Sequence, residues 1–201
     1  MAHVAVVTNL YPPFIKGGYE LLAYEFVRYC AKQHRVSVLT SALPVDAAGE
    51  DWSTVPGVEV VRSLQPSQEW DSPPTYSTRK KAASAVQNAF RAHRFFSGRQ
   101  VTHAFFWNLN RMGLGPLQAA LHQGISCFST LNDYYPLQYV EQRRLHRRLK
   151  RCCFSAWPDL SRVKHTYISA YLRDDLARQG FAPEHKQVIF QGIDVEKFPL
   201  K

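Results

Sequence analysis

The stretch from Val4 to Phe26, VAVVTNLYPPFIKGGYELLAYEF, constrains the fold more than any other part of the chain. Val4-Ala5-Val6-Val7 is an unbroken apolar run, the pattern of a strand buried on both faces of a parallel sheet. Pro12-Pro13 cannot continue a ladder of hydrogen bonds, and Gly17-Gly18 follows. Leu22, Phe26 and Cys30 then recur at helical spacing, Glu20 falls in the first turn, and Lys32 and Arg35 lie near the end. The unit is therefore strand, glycine loop, helix. Paired glycines let a backbone approach a ligand closely, and the exposed N–H groups of a helix start favour an anion. A tight turn that binds nothing could use the same two glycines, so the pair alone leaves both readings open.

The rest of the chain repeats the alternation. Residues 36–41 read as a second strand, and 58–61 alternate like a strand nearer a sheet edge. A loop over 65–77 carries Pro66, Pro73, Pro74, Trp70 and Tyr76; it reads either as a functional, ligand-facing loop or as a surface excursion. Residues 78–96 form the clearest long helix, with Thr78 as its cap and Ala82, Ala85, Val86, Ala89, Phe90 and His93 as its packing stripe. A strand over 101–106 runs into Trp107-Asn108. A helix over 112–123 is closed by Gly124, and 125–130 is another buried strand. Residues 165–168 form a further strand. Ser169 caps a helix over 171–179 that Gly180 ends, and 186–190 is the last strand. Alternating strands and helices imply an α/β, Rossmann-like parallel sheet with right-handed crossovers and helices on both faces.

In such sheets ligands bind beyond the carboxyl ends of the strands. The residues there are Thr8-Asn9 with Gly17-Gly18, then Thr40-Ser41, Trp107-Asn108, Thr130 to Asp133, Ser169, and Gln191 to Asp194. Most are small, polar or amide side chains suited to hydroxyls and phosphates, although turn chemistry enriches the same types.

A chain of 201 residues suits one domain or one half of a two-lobed protein. With 45% hydrophobic residues it builds a packed core and is not disordered as a whole. No window reaches the roughly 20 apolar residues of a membrane-spanning helix. No basic segment followed by an apolar stretch opens the chain, so no secretory signal is expected. Cys30, Cys127, Cys152 and Cys153 contain no C-x-x-C pair. They read as reduced thiols of a cytoplasmic protein, with Cys30 and Cys127 buried. The histidines are scattered, with no H-x-x-x-H or Cys/His spacing, so no metal site is expected.

The net charge of +9 suits an anionic partner, whether a phosphorylated metabolite, lipid headgroups or nucleic acid. It concentrates in a helical stretch over 139–153, where Arg143, Arg144, Arg147, Arg148, Lys150 and Arg151 face Glu141 alone. That stretch reads either as a solvated surface helix or as an attachment to an anionic membrane surface, each basic residue adding about 1 kcal/mol near the lipid. No helix-turn-helix, zinc or RNA-binding signature accompanies the charge, so nucleic acid is not expected as a partner.

The segment NLYPPFIKGGYE resembles the opening of the N-terminal domain of family 4 glycosyltransferases, the retaining nucleotide-sugar enzymes of the GT-B type. Three further stretches carry the likeness in the same order. Ser129 to Pro136, STLNDYYP, is similar to the family's T-x-H-D segment, with Asn132 in the place of histidine and Asp133 after it. Ser169 opens a segment similar to the family's serine-plus-helix element. Gln191-Gly192-Ile193-Asp194, with Phe198 beyond, resembles the N-G-I-D…F boundary between the two lobes.

The resemblance implies that 1–201 is the acceptor-side lobe of a GT-B enzyme, with the donor-binding lobe and its paired glutamates outside this chain. It implies a UDP- or GDP-linked sugar donor, no cofactor, and a glycan, lipid or small-molecule acceptor. Gly17, Gly18, Glu20, Asn9, Thr130, Ser169 and Gly192 then flank the donor phosphates and acceptor, although Glu20 also suits the N-terminal turn of its own helix. Asn132 and Asp133 occupy the catalytic position. An amide neither gives nor takes a proton near pH 7, though it can bond a sugar hydroxyl, and Asp133 is the nearest ionisable group. A peripheral location at the inner face of a membrane would follow from the basic stretch. A non-catalytic Rossmann-like binding module and a basic membrane-surface domain are the alternatives.

Overall fold

A computed structural model describes residues 1–42, 55–67, 78–137, 159–190 and 192. The basic stretch with Arg143, Arg144, Arg147, Arg148 and Arg151 lies outside these residues, as do most of the 65–77 loop and Gln191 and Asp194. The elements are β1 (His3–Thr8), α1 (Gly18–Cys30), β2 (Arg35–Ser41), β3 (Glu59–Leu64), α2 (Thr78–Arg99), β4 (His103–Asn108), α3 (Gly115–His122), β5 (Ser126–Leu131), a 3-10 turn at Leu160–Arg162, β6 (Val163–Tyr167), α4 (Ala170–Arg178) and β7 (Lys186–Val188).

The seven strands form one sheet in the order β3-β2-β1-β4-β5-β6-β7, and every neighbouring pair is parallel. From β1 the chain moves outward through β2 and β3, then returns to the other side of β1 as β4. The carboxyl ends of β1 and β4 are thus the switch point at which a cleft opens in sheets of this kind. The register between these two strands slips between Val7 and Thr8, so that Thr8 pairs with Asn108. Such irregularities re-aim the chain where pairing stops.

The two faces are buried against different helices. Val6, Val36, Val38 and Trp107 pack with Ala23 and Val27 of α1. Ala5, Val7, Leu39, Ala104 and Phe106 pack with Ala92, Phe95 and Phe96 of α2 and Leu117, Ala120 and Leu121 of α3. Leu131 and Tyr167 continue that second face under Leu172 and Leu176 of α4. Helices therefore cover both faces, as the alternation of patterns implies.

Three expectations are corrected. The stripe Ala82, Val86, Phe90 and His93 does not face the core: Val86 is 67% and Phe90 73% exposed. The inward face of α2 is Ser84, Asn88, Ala92, Phe95 and Phe96 instead. Polar Asn88 is inside because its amide replaces a missing ladder. It accepts from Gln65 N (2.7 Å) and donates to Gln65 O and Met112 O (2.9 Å each), so buried backbone groups of two loops are satisfied by one side chain. In α1 the fully buried positions are Glu20, Ala23 and Val27. Leu22, Phe26 and Cys30 flank them half-buried, so the Cys30 thiol is less enclosed than a core cysteine. The third helix starts at Gly115 rather than Met112, because Gly113 has a left-handed φ of 71° and Pro116 occupies the first turn. Among the described residues no helix is long and apolar enough to cross a membrane.

Candidate functional site

The glycine loop sits at the carboxyl end of β1 and is open. Gly17 and Gly18 are exposed, and a Cβ on either would meet no atom within 4 Å. Gly17 is fully extended (φ −174°) and precedes the first residue of α1. What orders the loop is Glu20. Its buried carboxylate Oε2 accepts from Gly17 N (2.9 Å) and Lys16 N (3.3 Å), the reaching-back half of a capping box. Glu20 is thereby placed in the helix role that its position in the first turn suggests. Arg62 of β3 fixes the other arm of the loop by donating to the carbonyls of Tyr11 (3.2 Å) and Pro12.

Asn9 lies at the switch point and is 3% exposed. Its backbone N donates to Asn108 O (2.9 Å), its Oδ1 accepts from Leu10 N (2.8 Å), and its Nδ2 reaches Asn110 O (3.5 Å). Asn108 turns its own Oδ1 back to Asn110 N (2.8 Å). The two asparagines thus lace the β1 and β4 loops into a floor, and the Asn9 side chain is engaged within the protein.

The β5 loop stands two strands away from β1, about 10 Å at the usual strand spacing. One side chain closes that distance. Tyr19, directly after the glycine pair, hydrogen-bonds Asp133 through its hydroxyl. Burial first, then the neighbouring Asp133 carboxylate, hold the Tyr19 phenol well above its usual range, so it is a donor at any physiological pH. Asp133 also accepts from Tyr135 N (2.8 Å) in an Asx turn. Tyr135 in turn is half-buried and hydrogen-bonded to Ser129. Asp133 is therefore a latch between two loops.

Between the latch and β5 lies Asn132. Its Oδ1 accepts from Thr130 Oγ1 (3.3 Å), and Thr130 is itself buried. The Asn132 Nδ2 is shut off from solvent and has no partner. A buried donor left unpaired costs about 1–3 kcal/mol, a cost that persists where a ligand supplies the acceptor.

Ser169 accepts from Leu172 N (3.1 Å) and caps α4. Gly192 is exposed with open space at its Cβ position. The structure thus joins Gly17, Gly18 and Glu20 to Asn132 and Asp133 through Tyr19, with Asn9 as floor and Thr130 behind; Ser169 and Gly192 stand at other strand ends. Sequence reasoning missed Tyr19 and Arg62. Adjacency to the glycine pair was a signal for the first; an edge-strand arginine offered none. Among the described residues no cluster of three His, Cys, Asp or Glu side chains could hold a metal ion.

Below the floor, His165 of β6 is buried in a cavity of about 20 Å³ lined by Phe106, Leu117, Tyr135 and Phe181. Burial pulls its imidazole down to about 4; the nearby Leu160 carbonyl offsets part of this, yet neither ring nitrogen closes a hydrogen bond. The folded state keeps His165 neutral while the unfolded chain protonates it below its ordinary 6.5. Stability contributed by this group is therefore complete above pH 6.5 and falls as pH drops toward 4, by roughly 3 kcal/mol. Urea unfolding at pH 7.5 and 4.5 checks this. His165→Phe is expected to remove that part of the pH dependence, and an unchanged slope in the variant would refute it.

The model of the family described as Glycosyltransferase Family 4 matches residues 16–197. No curated protein matches the chain by sequence. Among solved structures the chain is similar to a glycosyltransferase from Rickettsia africae (12% identity, TM-score 0.59, covering 98% of this chain and 45% of that one). It is also similar to UDP-N-acetylglucosamine 2-epimerase from Rickettsia bellii (10%, 0.58, 95% and 45%) and to MurG from Acinetobacter baumannii (12%, 0.53, 96% and 47%). These likenesses show a shared GT-B-type fold, and the chain spans about half the length of the structures it matches.

Proposed function

The chain belongs to Glycosyltransferase Family 4, and from that premise we propose that it is the acceptor-side lobe of an enzyme that transfers a sugar from a UDP- or GDP-linked donor to an acceptor with retention of configuration. The observation that carries this reading is the open glycine pair tied through Tyr19 to Asp133, beside the unpartnered Asn132 amide. In this account the Gly17-Gly18 backbone meets the diphosphate or acceptor without side-chain hindrance. Glu20 holds the loop's shape. Asn132 donates to a hydroxyl of the transferred sugar, and Asp133 positions the loops rather than moving a proton. The bond from the anomeric carbon to the diphosphate oxygen breaks as the acceptor oxygen bonds that carbon, and the acceptor's proton passes to the departing phosphate. A second lobe bearing the donor site closes over this edge.

A fold shared with an epimerase does not decide chemistry by itself. The test is an assay of the chain joined to a donor-binding lobe, with UDP- and GDP-linked hexoses and an acceptor panel, the product's anomeric configuration being read by NMR. Transfer with retention is expected, together with negligible turnover by the 201 residues alone. Turnover by this chain alone, or epimerised sugar without transfer, would overturn the proposal.

A further inference from the structure

The amino ends of β1, β2 and β4 lie at the opposite end of the sheet from the glycine loop, roughly 20 Å away across the six residues of β1. A cavity of about 280 Å³ opens there, lined by His3, Arg35, Arg99, Gln100 and Thr102 together with Met1 and Ala2. No carboxylate is among these residues. Arg99 engages Glu59 at both oxygens through Nε (2.8 Å) and Nη2, and its guanidinium lies 4.5 Å from the Phe95 ring. These contacts fix the guanidinium plane and leave Nη1 without a partner among the described residues. Arg35 is exposed, and its guanidinium makes no hydrogen bond or ion pair among the described residues. Glu59 thus offsets one of the two positive charges and leaves the other.

The last carbonyls of α2 would repel an anion, but they are occupied. Phe96 O accepts from Val101 N (3.2 Å), Ser97 O from Gln100 N (3.4 Å) and Arg99 O from His3 Nδ1 (2.7 Å). A carbonyl only accepts, so the His3 proton sits on Nδ1, and Nε2 faces the Ser37 hydroxyl at 2.9 Å. Burial holds the His3 imidazole below its ordinary range, so the ring is neutral at pH 7 and braces the helix end. Gln100 adopts a left-handed φ of 52°, which glycine accepts at lower cost in this helix-ending position. The chain keeps an amide side chain there against the backbone's preference, as it does where a side chain serves a site.

We propose that this cavity binds a phosphate monoester, with Arg35 and Arg99 as its charged donors and the Gln100 amide as a neutral one. The site is independent of the glycosyl-transfer reading, because it lies at the other end of the strands. A phosphate monoester carries close to two negative charges near pH 7 and three acceptor oxygens, enough to occupy two guanidinium forks. A carboxylate, with one charge and two oxygens, is satisfied by a single fork. The volume falls just below that of ordinary small-molecule sites, which leaves room for the phosphate and a short body. Soluble metabolites and phosphatidate headgroups both offer this chemistry, and the experiment separates them.

Backbone amide NMR of the chain tests this, with inorganic phosphate and glycerol 3-phosphate titrated at physiological salt. The Gln100 and Thr102 amides are expected to shift and to saturate below about 1 mM ligand. Arg35→Gln should weaken that binding about tenfold, the loss of a hydrogen bond to a charged group. Its thermal midpoint should stay within about 2 °C of wild type, since the side chain is exposed. Gln100→Gly should raise the midpoint by about 2 °C and yet weaken binding about threefold, a pairing that a merely structural residue would not give. Shifts that fail to saturate below about 10 mM would mean an adventitious ion only and would overturn the site. So would wild-type affinity in Arg35→Gln, or shifts confined to Gly17 and Gly18. Phosphatidylcholine vesicles with and without phosphatidic acid identify the source once the soluble phosphates bind. Capture by phosphatidic acid that Arg35→Gln abolishes assigns the monoester to a lipid, and no capture assigns it to a soluble metabolite.

Discussion

Gly115→Ala is expected to destabilise the chain by about 4 kcal/mol, enough to leave much of it unfolded at 37 °C. Gly115 opens α3 where that helix crosses α2, the most extensive helix–helix contact among the described residues. A Cβ there would overlap the carbonyl oxygen of Ala85 and lie 2.8 Å from Ala89 N and 3.0 Å from Ala85 C. All three are backbone atoms in the middle of a 22-residue helix, so no side chain can swing aside. Relief requires α2 and α3 to separate, and that opens the seam over Phe106, Phe96 and Leu117. Neighbouring Gly113 already brings its own Cβ position to 3.1 Å from Ala85 Cβ, so the crossing has no slack. Chemical denaturation of the variant measures the effect. A loss below about 1 kcal/mol would mean that the helices can slide apart at little cost.

Much of this architecture was legible because apolar runs and turn residues carry local signals. Val4-Ala5-Val6-Val7 announces a strand buried on both sides, and Ser169 followed by Gly180 brackets α4 as it does any capped helix. The face of α2 was not legible. Its 22 residues carry an apolar stripe through Val86 and Phe90, yet the helix turns Asn88 inward to serve backbone groups at Gln65 and Met112. Nothing local to α2 states that those loops lack partners. The same limit applies at the cleft. The glycine pair and the Asn132-Asp133 dipeptide are visible as motifs, but their union depends on Tyr19 reaching across β4. A contact between positions more than a hundred residues apart has no signature in one sequence.

The second large effect concerns function alone. Valine at Gly17 or Gly18 should leave folding intact and lower transfer roughly 10³-fold, about 4 kcal/mol of transition-state stabilisation. Neither glycine adopts a left-handed φ, and neither has a neighbour within 4 Å of a Cβ. Gly18 is the first residue of α1, and Gly17 its extended cap. Glycine is a poorer helix former than valine, so the exchange at Gly18 costs the helix nothing. The added methyl groups project into open space at the exposed glycine loop, where in the proposed reading the diphosphate or acceptor approaches the backbone. A turn that serves only to connect β1 with α1 would tolerate them, which separates the two readings that the glycine pair leaves open.

Steady-state transfer by the two-lobed protein carrying Gly18→Val, measured beside its thermal midpoint, tests this directly. The account predicts an unchanged midpoint with kcat/KM reduced about 10³-fold. Wild-type kcat/KM in that variant would show that no substrate meets the glycine loop, and the shared sugar-nucleotide cleft would be contradicted.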